Sequence, residues 1–572
     1  MSNDKLSPVE GIKIKSNFLR GTLKEGLADQ STGAISADDQ QLIKFHGMYQ
    51  QDDRDIRAER RRHKLEKAFS FMLRVRMPGG VSTPEQWLKM DQLADDYGNG
   101  TLKLTTRQAF QLHGLIKSNL RNTIQAIDSV ALDSIAACGD VNRNVMCNPN
   151  PHLSGVYATI IEDSDAISRH LMPHSGAYHE IWLEGEKVQT SEKEHEPIYG
   201  ETYLPRKFKI AVAVPPSNDV DIYANDLSFI AIVDEAGEVE GYNVAIGGGM
   251  GMTHGNEATY PRVADVIGYI PRERLLETAE HVVTVQRDYG DRTDRKHARL
   301  KYTIDTHGLD FFKKELESRL SGPLEPVREF HFDNNGDRYG WEQGEDGKWH
   351  LCLFIEGGRV VDRPLLKLRT ALREVAKILD GDFRLTANQN LVIAQVSEEV
   401  KGKIDSIFEK YQIDAAGTKT GLRLSALACV SLPTCGLALA EAERYLPKLI
   451  DELDEVVENA GLGQDSITIR MTGCPNGCAR PYLAEIGFVG KGPERYNVYL
   501  GGGHAGQRLN RIYREDVSAS EIRPLLEPVI KRYASERDSG ESFGDFVIRS
   551  GIIEASGPGS EFQKVSPVLA NA

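Results

Sequence analysis

The chain has 572 residues, a hydrophobic content of 40%, a charged content of 27% and a formal net charge of −15. These values are typical of a soluble globular protein of three or four domains, and the negative charge argues against a surface devoted to nucleic acid. No apolar run reaches the length of about 18 residues that a membrane span requires, and the N-terminus lacks the apolar segment of a secretory signal, so we expect a cytoplasmic protein.

Residues 1–65 are polar, and we interpret them as an N-terminal arm. Within this segment and just beyond it, residues 52–67 alternate in charge and predict an exposed helix. A solvated helix face is one interpretation of the arginines at 60–62. The other is a segment on which a partner protein docks.

The central chain alternates between strand-like and helical patterns, which predicts an α+β fold. Residues 75–98 indicate a strand, a glycine turn, a Ser or Thr cap and an amphipathic helix. Residues 103–114 read as a strand by alternation, and residues 207–249 read as a hairpin-rich sheet. The cation-rich stretch 288–302 fits a helix surface and a cofactor contact equally well.

Cations recur in the strand-like segments. Lys207 and Lys209 are two residues apart, so their side chains are expected on the same side of a strand, and the same holds for Arg74 and Arg76. Solvated charges on edge strands are the alternative interpretation. The other candidate polar residues of these segments are Arg107, Gln111, His113, Arg143 and Arg206.

Four cysteines near the C-terminus form two pairs. Cys429 and Cys435 have five residues between them, and Cys474 and Cys478, which have three between them, follow after a gap of 38 residues. Four soft thiolates select an iron–sulfur cluster or zinc, and structural zinc usually has shorter spacings. The chain has only seven cysteines in all, which does not suggest a disulfide scaffold.

Several motifs occur twice in the same order, which predicts an internal duplication. The matching segments are 73–80 with 351–358, 100–108 with 381–389, and 242–251 with 496–506. A weaker match relates CNPN at 147–150 to CPNG at 474–477. Only the second copy contains all four paired cysteines.

The cysteine motifs ACVSLPTC and TGCPNGC resemble those of the sulfite/nitrite reductase haemoprotein family, and the similarity extends from about residue 65 to about 555. The resemblance implies a trilobal α+β fold with a pseudo-two-fold axis. It also implies that Cys429, Cys435, Cys474 and Cys478 bind a [4Fe–4S] cluster, with Cys478 bridging the cluster to the iron of sirohaem.

The resemblance also implies roles for the cations and boundaries for the lobes. Arg74, Arg143, Lys207 and Lys209 would surround sulfite, whereas Arg76, Arg107, Gln111 and His113 would contact sirohaem. The expected lobes are a ferredoxin-like one formed by residues 66–135 and 341–416, a first sirohaem-binding lobe at 136–340, and a second at 417–572.

The activity implied is the six-electron reduction of sulfite to sulfide for sulfur assimilation and cysteine biosynthesis. The chain shows no nucleotide or flavin fingerprint, so electrons are expected from another protein. The resemblance implies that this protein is a flavoprotein (alpha) subunit that carries FAD and FMN and oxidises NADPH. The alternatives are a ferredoxin-fed nitrite reductase, a non-enzymatic protein with a structural zinc site, and a cofactor-free half of a larger complex.

Overall fold

The computed structural model describes residues 6–149, 154–183 and 194–564. No helix in these three ranges combines the length and apolar character needed to cross a membrane. The strands in chain order are β1 (Met48–Asp52), β2 (Phe69–Arg74), β3 (Val81–Ser82), β4 (Leu102–Leu104), β5 (Phe110–Leu115), β6 (Met146–Cys147), β7 (Ile210–Ala213), β8 (Leu227–Val233), β9 (Val239–Ile246), β10 (Asp265–Pro271), β11 (Gly340–Gln343), β12 (Trp349–Leu353), β13 (Arg359–Val360), β14 (Asp382–Leu385), β15 (Leu391–Val396), β16 (Ala426–Ala428), β17 (Ile469–Thr472), β18 (Ile486–Gly492), β19 (Arg495–Leu500) and β20 (Arg511–Ser518).

The α-helices lie between and around these strands. In chain order they are α1 (Pro8–Lys15), α2 (Leu23–Ala28), α3 (Asp39–Leu42), α4 (Arg57–Arg62), α5 (Pro84–Asp96), α6 (Leu120–Asp128), α7 (Ser154–His170), α8 (Ala177–Trp182), α9 (Leu275–Tyr289), α10 (Leu300–His307), α11 (Leu309–Glu317), α12 (Leu368–Ala376), α13 (Glu398–Tyr411), α14 (Gly421–Leu424), α15 (Leu446–Asn459), α16 (Ile522–Glu536) and α17 (Phe543–Arg549). The expected cap of α5 is present, because Thr83 forms a capping box with Gln86.

Two of the four sheets exchange a strand with each other. Their orders are β1-β2-β5-β4-β13 and β11-β12-β15-β14-β3, so each half of the chain gives a short strand to the sheet of the other half. Each exchanged strand follows a glycine pair in the left-handed region, with φ of +74° at Gly80 and +65° at Gly358. A side chain at either glycine would collide with the backbone of the other half, at Leu385 and Leu104 respectively. The exchange interlocks the two copies.

The other two sheets share one topology. Their orders are β10-β9-β8-β7-β6 and β16-β17-β18-β19-β20. In each, the first three strands in sequence are parallel and the last two antiparallel. The loops from β7 to β8 and from β17 to β18 span residues 214–226 and 473–485, which are thirteen residues each. The α+β class and the internal duplication are therefore confirmed.

The topology corrects one of the sequence matches. Cys147 ends β6, which occupies the same sheet edge as β16, so the residue equivalent to Asn148 is Cys429. Val214 N donates to Asn148 Oδ1 over 2.7 Å, as Gly473 N donates to Cys429 Sγ over 3.4 Å. The match of CNPN to CPNG was wrong, because it paired the end of the first parallel strand in one lobe with the end of the second in the other.

Most of the N-terminal segment is packed into the molecule. Leu23, Ile43 and Met48 are fully buried, and β1 forms an edge of the first sheet. Lys13 is also buried, where it pairs with Glu10 and donates to the carbonyl oxygen of Leu204 over 2.8 Å. Among the α-helices and the strand of this segment, only α4, the helix that was expected to be exposed, has no buried residue. The polar composition concealed a part of the folded core.

Candidate redox-cofactor site

The fold brings the two cysteine motifs to one sheet edge. Cys429 directly follows β16, whereas Cys474 lies just after β17, and these neighbouring strands are parallel. Because parallel strands end at the same edge, residues that are distant in sequence become neighbours. A hydrogen bond of 3.1 Å from Cys429 N to Met471 O ties the two strand ends together.

The four thiol groups form one electrostatic group. Burial raises the pKa of Cys429, Cys435 and Cys474, and the neighbouring Cys478 raises the pKa of all three further. For Cys474 the pKa reaches about 11. Thiolates crowded in this way repel one another until a bound cation neutralises them.

The donor set fits a cluster of several irons. Four soft sulfur atoms are the ligands that iron–sulfur clusters require. In the part of the chain that the structure describes, no three His, Cys, Asp or Glu side chains are arranged to hold a single metal ion.

The loop that carries Cys478 is seated against both ferredoxin-like halves. Thr106 Oγ1 donates to the carbonyl oxygen of Cys478 over 3.1 Å. Arg480 donates to the carbonyl oxygen of Thr106 over 3.0 Å and to that of Ala387 over 2.9 Å. The turns at 105–108 and 386–389 are the repeated motifs of the sequence, so the duplication itself positions this cysteine.

A buried ion pair joins the equivalent loops of the two lobes. Asp221 and Arg480 each precede a short 3₁₀ helix and each adopt the left-handed conformation, with φ of 47° and 54°. The Asp221 carboxylate contacts Arg480 and accepts a hydrogen bond of 2.6 Å from Arg470. Burial raises the pKa of Asp221, but the two arginines outweigh burial and hold it below its usual value.

We expect Asp221→Asn to destabilise the protein strongly. The variant leaves two buried guanidinium groups without their shared counter-charge, a loss that costs about 3–5 kcal/mol in buried ion pairs. Thermal denaturation of the purified holoprotein should therefore show an earlier first transition. Asp310→Asn, at an exposed residue of α11, is the matched control, and equal melting of both variants would contradict the assignment.

Lys207 and Lys209 lie in the segment that leads into β7, and both are half-buried. No hydrogen bond or ion pair engages either ammonium group within the described ranges. Burial lowers the pKa of Lys207 to about 7, with Arg206 and Arg299 adding to the effect. Burial and then Lys207 also hold the pKa of Lys209 well below its usual value. Half-buried cations without partners indicate an anionic ligand.

Arg143 and Arg107 border the same group of cations. Arg143 N donates to the carbonyl oxygen of Phe208 over 2.9 Å, which places Arg143 beside the lysine segment. Arg107 donates to Asn225 over 2.8 Å, but its buried Nε has no partner among the described residues. Burial, followed by the charges of Arg480 and Arg143, lowers the pKa of Arg107 to about 9.

Arg74 begins a hydrogen-bonded chain. Its Nη2 donates to Gln111 Oε1 over 2.8 Å, and Gln111 Nε2 lies 2.7 Å from His113 Nε2. Because the Gln111 oxygen faces Arg74, its amide nitrogen is the donor to His113, which assigns the His113 proton to Nδ1. Burial keeps the pKa of His113 well below its usual value. Nδ1 has no partner in the described chain, so it is an available neutral donor.

Arg76 departs from this arrangement. Strand β2 ends at Arg74, and Arg76 instead forms an isolated antiparallel bridge with Asp133. The Arg76 guanidinium pairs with Asp133, at 3.0 Å for Nε–Oδ1, and donates to Ser168 over 3.0 Å. Its expected contact with sirohaem stays a prediction that the resemblance alone supports.

The structure adds cations that sequence reasoning left undecided or missed. Arg299 and Lys301, from the stretch 288–302, are buried rather than on a helix surface. Arg299 pairs with Asp226 at 2.7 Å, and Lys301 donates to the carbonyl oxygen of Gly251 over 2.8 Å. Their signal was the density of cations in that stretch. No comparable pattern in the sequence indicated Arg480, which lies two residues after the last cysteine.

The fold and the site together define a class of protein. Four thiol groups lie in one duplicated lobe. The other lobe supplies the unpartnered Lys207 and Lys209, and the ferredoxin-like part of the chain supplies Arg74 and Arg107, which are held by hydrogen bonds. Their unpaired buried donors, Arg107 Nε and His113 Nδ1, suit a cofactor that carries several carboxylates. This is the architecture of a redox protein with a metal cluster beside a polyanionic cofactor.

Comparisons with known families assign the chain. A model described as "Nitrite/Sulfite reductase ferredoxin-like half domain" matches residues 63–130 and 342–411, and one described as "Nitrite and sulphite reductase 4Fe-4S domain" matches residues 162–324. The second match covers the first lobe, whereas the four cysteines lie in its duplicate. The chain belongs to the nitrite and sulfite reductase family.

Relatives of full length share this assignment. The chain is 57% identical to "Sulfite reductase [NADPH] hemoprotein beta-component" of Staphylococcus saprophyticus, over 98% of each chain. It is 59% identical to the protein of the same name from Anoxybacillus flavithermus, over 97% of each. Among solved structures, the Mycobacterium tuberculosis NirA protein is similar over 94% of each chain, with 25% identity and a TM-score of 0.75. The resemblance drawn from the cysteine motifs is confirmed.

Proposed function

We propose that this protein reduces sulfite to sulfide by six electrons, as the haemoprotein component of an NADPH-dependent assimilatory sulfite reductase. The cofactors are sirohaem and a [4Fe–4S] cluster bound by Cys429, Cys435, Cys474 and Cys478. The observation that carries the proposal is the pairing of this thiol group with the unpartnered ammonium groups of Lys207 and Lys209. The names of the full-length relatives support it.

The metal centres supply the electrons, since no amino-acid side chain can carry out a six-electron reduction. The residues of this chain provide charge and protons. Arg74 and Arg143 are always cationic, and their planar guanidinium groups suit an oxyanion. Arg74 is held by Gln111 and Arg143 by the carbonyl oxygen of Gly139, at 2.8 Å each, so both groups are fixed before the substrate arrives.

The two lysines are the proposed proton donors. An ammonium group with a pKa near 7 can give up a proton to a sulfite oxygen and regain it from water at neutral pH. Lys207 meets this condition, since its pKa is about 7. Lys209 is held nearby by a hydrogen bond of 2.9 Å from its backbone N to Asp226. Neither ammonium group must break a protein contact before it binds the anion.

The electron donor proposed is a flavoprotein (alpha) subunit that carries FAD and FMN and oxidises NADPH, in the cytoplasm. Support comes from the words "[NADPH]" and "beta-component" in the names of the relatives. The exposed helix α4 offers a basic surface near the cysteine loop, since Arg54, three residues before the helix, touches that loop. An acidic face on the flavoprotein would complement it.

The test is direct. Purified anaerobically, the protein should contain iron, labile sulfide and an extractable tetrapyrrole, and an artificial one-electron donor should support sulfite turnover. Nitrite turnover should be lower in kcat/KM, because the doubly charged sulfite gains more from the cations. NADPH should support turnover only after the flavoprotein is added. A colourless protein with one zinc per chain would refute the function, and a preference for nitrite would favour the alternative activity.

A further inference from the structure

The segment that follows β1 crosses to the loop of the first cysteine pair. Arg54 N donates to the carbonyl oxygen of Pro433 over 3.2 Å. Its Nη1 donates to the carbonyl oxygen of Ala438 over 2.6 Å and to that of Cys435 over 3.2 Å. These partners are more than 370 residues away in the sequence, so no local pattern indicates the contact.

The contact does two things at once. The two carbonyl groups lie in the turn that begins at Cys435, so one guanidinium nitrogen fixes the path of the chain directly after a cluster ligand. The guanidinium is also a permanent cation, half-buried, and it is therefore screened less than the exposed arginines of α4.

A second ion pair closes the other end of the loop. Arg444 lies 2.6 Å from Asp55, the residue after Arg54. Both side chains are exposed, and exposed pairs contribute little to stability. The two contacts together clamp residues 433–444 to the N-terminal segment, and Arg54 is the member whose contacts include a cluster ligand.

We propose that Arg54 is a positioning residue for the cluster, one that holds the Cys435 loop and favours the reduced state of the cluster by its fixed positive charge. This inference rests on the proposed function, since it assumes the [4Fe–4S] cluster. Reduction adds one electron to the cluster and neither forms nor breaks a bond to Arg54. A nearby cation lowers the free energy of the added negative charge.

The inference changes the interpretation of the charged stretch at 52–67. In the sequence, Arg54 is indistinguishable from the arginines that follow it. In the structure, Arg54 contacts the cysteine loop, whereas the Arg61 side chain is exposed and makes no hydrogen bond or ion pair among the described residues. The two arginines therefore form a matched pair for an experiment, with the same side chain, the same segment and different surroundings.

The experiment is an EPR-monitored redox titration of the cluster in the purified holoprotein, with iron, labile sulfide and sirohaem measured in parallel. The variants are Arg54→Gln, Arg54→Lys and the control Arg61→Gln. For Arg54→Gln we expect the ratio of reduced to oxidised cluster at a fixed potential to fall about tenfold, a shift of about 59 mV for one electron. Arg54→Lys keeps the positive charge but loses the planar guanidinium group, so the ratio of reduced to oxidised cluster should fall less in this variant. Arg61→Gln should match the wild type.

Each outcome separates the inference from the proposed function. A wild type without a cluster refutes the proposed function before any variant is compared. A wild type with cluster and sulfite turnover, whose midpoint is unchanged in Arg54→Gln, overturns only the role of Arg54. If Arg54→Gln fails to assemble the cluster, Arg54→Lys decides: a midpoint at or slightly below that of the wild type supports the inference, and a midpoint lowered by about 59 mV or more despite the retained charge overturns it.

Discussion

Cys478→Ser should abolish sulfite reduction and leave the protein without its iron–sulfur cluster. A serine hydroxyl is a hard donor that loses its proton far less readily than a thiol, so it cannot replace a soft thiolate on iron. The proposed bridge from Cys478 to sirohaem would be lost at the same time. We expect sulfite turnover below detection, iron and labile sulfide near zero, and a changed haem absorption spectrum.

The fold should survive this substitution. The loop is held by backbone contacts, including the hydrogen bond from Thr106 to the carbonyl oxygen of residue 478 and those from Arg480, none of which needs the sulfur. Circular dichroism should therefore show the wild-type content of helix and strand. Cys352→Ser is the control, because Cys352 is buried in β12, away from the cysteine loops. Full iron content and turnover in Cys478→Ser would refute its assignment as a ligand.

The duplication was predictable because the motifs that repeat are short and continuous in the sequence. The glycine pairs and the turns at 105–108 and 386–389 need particular residues at fixed positions, so the two copies have similar residues there. The order of motifs then predicted the two related sheet pairs. The exchange of β3 and β13 was not predictable, because each is two residues long and pairs with the sheet of the other half.

The residues of the candidate site likewise divide into those that local motifs predicted and those that depend on contacts between distant parts of the sequence. Lys207, Lys209 and the cysteines stand in short motifs, and the structure places Lys207 within electrostatic range of Cys478. The Asp221 contacts were invisible, because Arg470 and Arg480 lie 249 and 259 residues away from it. Arg76 differs from these residues, because its guanidinium pairs with Asp133 and its predicted contact with sirohaem rests on the resemblance alone. The burial of the N-terminal segment was not predicted, because its polar composition indicated exposure. In the structure, polar side chains such as Lys13 and Glu10 pair with each other and can therefore be buried.

The duplicated lobes have specialised in opposite directions. Register and loop length make Cys478 the equivalent of Asp219, and Lys209 the equivalent of Thr468. The second lobe therefore has thiols at positions where the first has an acid and an amide, and the first has cations where the second is neutral. Under the proposed function, one lobe would hold the metal and the other the anion, so two similar copies would provide a single site.

Replacing both lysines should nearly eliminate sulfite turnover while the cofactors stay bound. Each charge-assisted hydrogen bond contributes about 1.5–3 kcal/mol, so Lys207→Met with Lys209→Met should lower kcat/KM by about a hundredfold or more. The cluster and haem spectra should be unchanged, since neither ammonium group is a ligand. Lys24→Met, at an exposed residue of α2, is the control. Wild-type kinetics in the double variant would refute this placement of the substrate.

The pH dependence of sulfite binding distinguishes Lys207 from a passive charge. Burial lowers its pKa to about 7, so the ammonium form predominates below that pH and is lost above it. Sulfite affinity should therefore fall as the pH rises through this window, and this contribution should be absent in Lys207→Met. The titration of sulfite itself is common to both proteins, so the difference between their profiles isolates the lysine. Carboxylates of bound sirohaem would move the window to higher pH without reversing its direction. Parallel profiles for the two proteins would contradict a titrating role for Lys207.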